Sequence, residues 1–215
     1  MNTQRASHDH IITESTSAKY VLLLAHGAGA PMTHSFMEQL AGELSQQNAH
    51  VVRFNFPYIN QGRKMPGSPK PNIAAIGEMI DFCKEHLELL PLFISGKSYG
   101  GRMCSHWLQL HTEGPIGGIV YFGFPLHAPG KVGKSRADHL YEISHPQLFI
   151  QGTRDALANY VLMNEVVDNC QQASIHTIDH GDHSFKVSKK LTEKSQSEII
   201  HEIATVTNQW VIDQI

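Results

Sequence analysis

A chain of 215 residues with 41% apolar and 17% charged residues has the make-up of an ordinary globular domain, long enough to bury roughly 70% of its unfolded surface. The formal charge of −3 gives no electrostatic reason to expect nucleic acid as a partner, and no apolar run approaches the ~18 residues of a membrane span. The polar start Met1–Arg5 has no apolar leader core, and three scattered cysteines (Cys83, Cys104, Cys170) read as reduced thiols, so the expected location is cytoplasmic.

After a polar segment over 1–18, Tyr20–Ala25 (YVLLLA) has no polar alternation and predicts a strand buried on both faces. A small-residue loop, His26 to Pro31, precedes a helix from about Thr33 with Met37, Leu40, Ala41 and Leu44 on its inner face. His50–Phe56 predicts the next strand, and the Pro-, Gly- and base-rich stretch 57–72 a long loop. Ile73, Ile76, Ile80, Cys83, Leu87 and Leu90 step by three and four as the stripe of a second helix, which Pro91 is expected to end.

Leu92–Ser95 predicts a strand and Tyr99–His111 a helix whose inner stripe is Met103, Trp107 and Leu110. Gly118–Phe122 predicts a strand, 123–144 an irregular stretch too short for a large helical cap, and Gln147–Gln151 a further strand. Asn159–Asn169 predicts a helix, Ser174–Ile178 the final strand, and the tail 188–215 a closing helix with Ile199, Ile203, Val206 and Trp210 buried. Short apolar strands alternating with amphipathic helices predict one α/β domain over 1–215, a doubly wound and mostly parallel sheet.

In such a sheet, functional groups gather on loops at the carboxyl ends of the strands. Gly96-Lys97-Ser98-Tyr99-Gly100 spells G-x-S-x-G at a strand-to-helix turn, the context in which a serine hydroxyl is held exposed for attack. The loop around Ala28 has small residues that let backbone N–H groups approach an oxyanion, and the N–H of Tyr99 is the second candidate donor. Asp155 follows the strand ending at Gln151, and His183 follows the last strand, so Ser98, Asp155 and His183 occur in the order of a nucleophile, acid and base.

His180 competes with His183 as the base, and Asp179 and Asp182 compete with Asp155, although their place in the base's own loop suits turn formers better. His26, Gly29, Tyr58, Arg63 and His127 are candidate pocket residues, with Arg63 placed to recruit an anionic group. Other readings fail on spacing. A P-loop needs glycine at 91, where proline stands, and a dinucleotide loop needs glycine at Met32. His176, His180 and His183 lack the companion ligands of a zinc site, so neither metal nor cofactor is expected.

Six stretches carry a family resemblance: HGAGAP at 26–31, FPYINQGRKMPGSPKP at 56–71, GKSYGGR at 96–102, FGFPLHAPGK at 122–131, QGTRDAL at 151–157 and GDHSFK at 181–186. From about Tyr20 to Lys186 the chain resembles the small, uncapped α/β-hydrolases related to dienelactone hydrolases, and among them the little-characterised predicted hydrolases that include a testis-expressed protein. The resemblance implies a catalytic triad at Ser98, Asp155 and His183. It supplies no substrate, because the family's activities are poorly defined, and the substrate of dienelactone hydrolases proper does not carry over, since they use cysteine where this chain has Ser98. The expectation is a serine hydrolase acting on an ester or thioester of a small or extended acyl group, a small-molecule substrate, through an acyl-enzyme intermediate. The competing expectation is a binding or scaffold protein that keeps the fold without the chemistry.

Overall fold

The computed structural model describes residues 9–87, 89–112 and 114–215. Seven strands, β1 (His10–Thr13), β2 (Tyr20–Ala25), β3 (Ala49–Phe54), β4 (Leu92–Lys97), β5 (Ile116–Phe122), β6 (Gln147–Gly152) and β7 (Ala173–Ile178), form one sheet. Its order is β1-β3-β2-β4-β5-β6-β7, with β1 antiparallel to β3 and every other neighbour parallel. The helices are α1 (Ser35–Gln46), α2 (Pro57–Asn60), α3 (Pro69–His86), α4 (Tyr99–Leu110), α5 (Tyr160–Asn169) and α6 (Gln196–Ile212).

Strand β2 is buried at all six positions, and its side chains divide between two cores. Val21, Leu23 and Ala25 pack with Ile76, Met79 and Ile80 of α3, with Met103 and Cys104 of α4, and with Met163 of α5 in one cluster. Tyr20, Leu22 and Leu24 pack with Leu40 and Leu44 of α1 and with Ile199 and Ile203 of α6 in the other. Each buried leucine or isoleucine contributes roughly 1.5–3 kcal/mol, so both faces of the sheet must be covered, and the fold is doubly wound.

The chain winds from β2 outward to β3, then returns to place β4 on the other side of β2. The loops leaving β2 and β4 therefore part in opposite directions, and the crevice between them is where such sheets bind ligands.

Several expectations are corrected. Residues 1–8 of the polar N-terminal segment lie outside the described residues, and within the rest His10–Thr13 adds an edge strand too short to stand out in the sequence. The stretch 57–72 is not loop throughout. Pro57 opens the single turn α2, and α3 begins at Pro69, because proline suits the first helical turn, whose N–H groups have no internal acceptor.

Pro91 does not terminate α3. The helix stops at His86, Leu87 turns extended (φ −106°, ψ 150°), and Leu87 and Leu90 reach the core from beyond its end. Leu110, expected inside, is exposed on the last turn of α4. The 123–144 stretch carries one 3₁₀ turn, Asp138–Glu142, and among the described residues no separate cap covers the sheet edge. No helix of the described residues is long and apolar enough to cross a membrane.

Candidate active site

Ser98 links β4 to α4 with φ +51° and ψ −112°, a backbone conformation that side-chain-bearing residues rarely adopt. The flanking glycines make the turn possible. A Cβ on Gly96 would lie 2.3 Å from the Gly101 nitrogen, and one on Gly100 would lie 2.4 Å from the Ala25 carbonyl oxygen. The two loops leaving β2 and β4 touch backbone to backbone, which only glycine allows.

Two short hydrogen bonds run inward from the serine. Ser98 Oγ lies 2.8 Å from His183 Nε2, and His183 Nδ1 lies 2.7 Å from Asp155 Oδ2. Asp155 is buried and accepts from the Leu157 N–H at Oδ1 (2.7 Å) and from Gln151 Nε2 at Oδ2 (2.6 Å). Gln151 is itself buried and accepts from the Phe124 N–H at 3.0 Å. With donors on both oxygens the carboxylate presents an acceptor to His183 Nδ1, which leaves Nε2 free to receive a proton from Ser98. Burial moves the His183 pKa below its ordinary value, against the Asp155 hydrogen bond, which raises it. The imidazole is therefore neutral at pH 7 and competent as a base.

The competing residues point elsewhere. His180, at φ +56°, pairs with Asp179 at 3.5 Å, and Asp179 caps the turn by accepting from the His180 N–H. Asp182 Oδ1 accepts from the N–H groups of Ser184 and Lys186, the work of a turn former. His176 turns to Glu202 of α6 at 3.0 Å. Among the described residues no cluster of histidine, cysteine, aspartate and glutamate could hold a metal ion.

The 26–31 loop reaches Ser98 by an indirect support. His26 is fully buried; its Nδ1 donates to the Gly27 carbonyl (2.8 Å), and its Nε2 accepts from the Phe56 N–H (3.1 Å). Tyr58 also directs its hydroxyl at the Gly27 oxygen, at 3.5 Å. With the Gly27 C=O drawn inward, the trans peptide aims the Ala28 N–H the opposite way, outward beside Ser98. Ala28 lines the cavity that contains Ser98. Tyr99, as the first residue of α4, contributes an N–H that the helix leaves without an internal acceptor.

That cavity holds about 360 Å³ and is walled by Phe36 and Met37 of α1, Leu157, Lys97 and Ala28, and His34, Ser98 and His183 also line it. The pocket residues expected from the sequence do not line it. His26 and Tyr58 lie beneath the loop, buried against Phe56 at ring distances of 4.8 and 6.3 Å. Gly29 turns the loop at φ +76° on the solvent side. Arg63 is exposed and bonds Gln61, and His127 is buried with Nδ1 on the Ala128 carbonyl. The walls come instead from the first turn of α1, whose apolar stripe was legible but whose end at the active edge was not. Gln151 and Lys97 were also missed, since no spacing marks Gln151 and Lys97 fills a position that the G-x-S-x-G pattern leaves open to any residue.

The model of an alpha/beta hydrolase domain matches residues 18–212. Among solved structures, the chain resembles Est1E of Butyrivibrio proteoclasticus, solved with ferulic acid bound, at TM-score 0.74 and 11% identity over 96% of this chain and 95% of that one. It resembles the dienelactone hydrolase of Anabaena variabilis at TM-score 0.73 and 16% identity, covering 95% and 90% of the two chains. A serine hydrolase without lid from Xanthomonas campestris superposes at TM-score 0.72 and 14% identity, covering 96% and 88%. At these identities the solved structures attest the fold, and the family model, matched over nearly the whole chain, establishes the membership: this chain belongs to the alpha/beta hydrolase domain family.

Proposed function

We propose that the chain is a serine hydrolase that cleaves a small or extended acyl ester or thioester through an acyl-enzyme, using Ser98, His183 and Asp155. The observation that carries the reading is the unbroken run of hydrogen bonds from Ser98 Oγ through His183 to Asp155, at 2.8 and 2.7 Å.

In the first step Ser98 Oγ attacks the carbonyl carbon while its proton passes to His183 Nε2, and Asp155 stabilises the imidazolium through Nδ1. The oxyanion that forms is met by the N–H groups of Ala28 and Tyr99, donors fixed before charge develops. His183 returns its proton to the leaving alcohol or thiol, and the Ser98 acyl ester remains. Water, deprotonated by the same imidazole, attacks that ester, and His183 passes the proton to Ser98 Oγ as the acid leaves. No metal or cofactor takes part in this scheme.

A cavity of about 360 Å³ with Phe36, Met37 and Leu157 as walls sits at the small end of ligand sites and supports a short acyl group. The rest of the substrate then extends over an edge that no cap covers.

The test is Ser98→Ala. Turnover of p-nitrophenyl acetate and labelling by a fluorophosphonate probe are expected to vanish with melting unchanged. Unaltered turnover in that variant defeats the proposal, and failure of the folded wild-type chain to label favours a binding role on the same fold.

A further inference from the structure

Lys97 occupies the x of the G-x-S-x-G turn, beside the nucleophile, with its side chain carried into the base's loop. Its Nζ donates to the backbone carbonyl of His183. The ammonium lies 5.0 Å from the ring centroid of Phe185 and 5.9 Å from that of Phe36, within range of attraction to both aromatic faces. Space for it exists because residue 123 is glycine. A Cβ there would stand 2.9 Å from Lys97 Nζ, 3.4 Å from the His183 oxygen and 3.6 Å from His183 Nδ1.

The geometry points to Lys97 as a positioning residue for His183, whose ammonium anchors the backbone of the base's loop and whose charge opposes protonation of the imidazole. This rests on the reading of Ser98 and His183 as nucleophile and base. The loop needs an anchor, since His180 and Phe185, on either side of the base, hold positive φ of 56° and 59°.

The charges that face the ammonium are Asp155 from the loop after β6, and Asp182 and His183 from the loop after β7. Burial lowers the Lys97 pKa to about 8, against the two carboxylates, so the side chain is mostly protonated at pH 7. Its charge in turn lowers the affinity of His183 for a proton, beside the larger effect of burial. Asp155 and Lys97 thus act on the imidazole in opposite senses. Asp155 fixes the tautomer and stabilises the cation once formed, and Lys97 keeps the resting ring unprotonated.

Two readouts test this on the full chain. The first is the His183 pKa from NMR titration of imidazole-labelled protein, assigned with His183→Gln; the second is the pH midpoint of Ser98 labelling by a fluorophosphonate. In Lys97→Met both midpoints rise by about half a pH unit or more, the effect of removing a unit charge a few ångströms away, and at a pH below both midpoints the labelling rate, relative to that at pH 8, is about threefold lower than in the wild type. Lys97→Arg retains the charge and keeps the wild-type midpoints.

Midpoints unmoved in folded Lys97→Met overturn the inference, as does an equal shift in Lys97→Arg. Should Lys97→Met not fold, Lys97→Gln, which keeps a donor without the charge, is read in the same way. The two readings separate cleanly. Absence of labelling in wild-type protein refutes the assignment of Ser98 as nucleophile, while the NMR titration still reports whether Lys97 governs the His183 proton.

Discussion

His26→Ala removes a side chain that touches no substrate, and its effects can be worked from the bonds it makes. The Phe56 N–H, buried and held by Nε2 at 3.1 Å, is left without an acceptor, which costs about 1–3 kcal/mol. The space between the rings of Phe56 and Tyr58, at 4.8 and 5.9 Å, is left partly empty and adds a further 1–2 kcal/mol or about that. The expected loss at pH 7.5 is therefore about 2–5 kcal/mol, a large share of the roughly 5–15 kcal/mol that holds a domain folded.

The pH dependence sharpens this prediction. Burial depresses the His26 pKa from 6.5 to about 4, against the hydrogen bond to the Gly27 carbonyl, which raises it. The unfolded chain binds that proton first, so this group makes the wild type lose stability as pH falls from 6.5 toward 4, by about 1.4 kcal/mol per unit. The variant lacks that component. His139, held to about 3 by burial, and His183 carry the same sign in both proteins and cancel in the difference.

Urea unfolding at pH 7.5 and pH 5 should then show the gap between the two proteins shrinking by about 2 kcal/mol. The freed Gly27 peptide also releases the Ala28 N–H, and kcat on a p-nitrophenyl ester should fall on the order of 100-fold or more. A gap below about 1 kcal/mol at pH 7.5, or one that does not change with pH, refutes the buried-bridge account of His26.

Asp155→Asn is expected to lower kcat on the order of 10⁴-fold, since an amide no longer compels Nδ1 of His183 to carry the proton; steady-state kinetics at pH 8 check it, and a loss under tenfold transfers the role elsewhere. Leu157→Ala keeps the backbone N–H that binds Asp155 Oδ1 while opening one cavity wall, so the ratio of kcat/KM for hexanoyl over acetyl esters should rise about tenfold, read from a chain-length series. Gly100→Ala forces a Cβ to 2.4 Å from the Ala25 oxygen and should lower Tm by roughly 5–10 °C, whereas Gly42→Ala, in α1 with nothing within 4 Å, should raise stability by about 0.5–1 kcal/mol. Calorimetry of the pair separates steric closeness from a general intolerance of glycine replacement.

Much of the sheet was legible because buried parallel strands are written as apolar runs and their helices as stripes at helical spacing. The errors fell where those signals end. The four residues of β1 take their identity from pairing with β3, which lies some forty positions away. Pro69 and Pro71 read as loop although the first turn of α3 accepts them, because no proline N–H is needed there. Leu110 kept the helical period but sits on the last turn of α4, past the edge of the core.

The sequence by itself determined the alternation of strands and helices, the glycines of the turn around Ser98, and the loops on which Ser98, Asp155 and His183 lie. All of these depend on local backbone geometry and on which loop follows which strand. Only the tertiary structure decided what surrounds them. His26 and Tyr58 hold the Gly27 peptide from below instead of facing a substrate, α1 supplies the walls of the cavity, and Lys97 reaches the carbonyl of a residue 86 positions away. A side chain's partner is set by which loops cross above the sheet, and that crossing follows from the winding of the whole chain, which no local run of residues encodes.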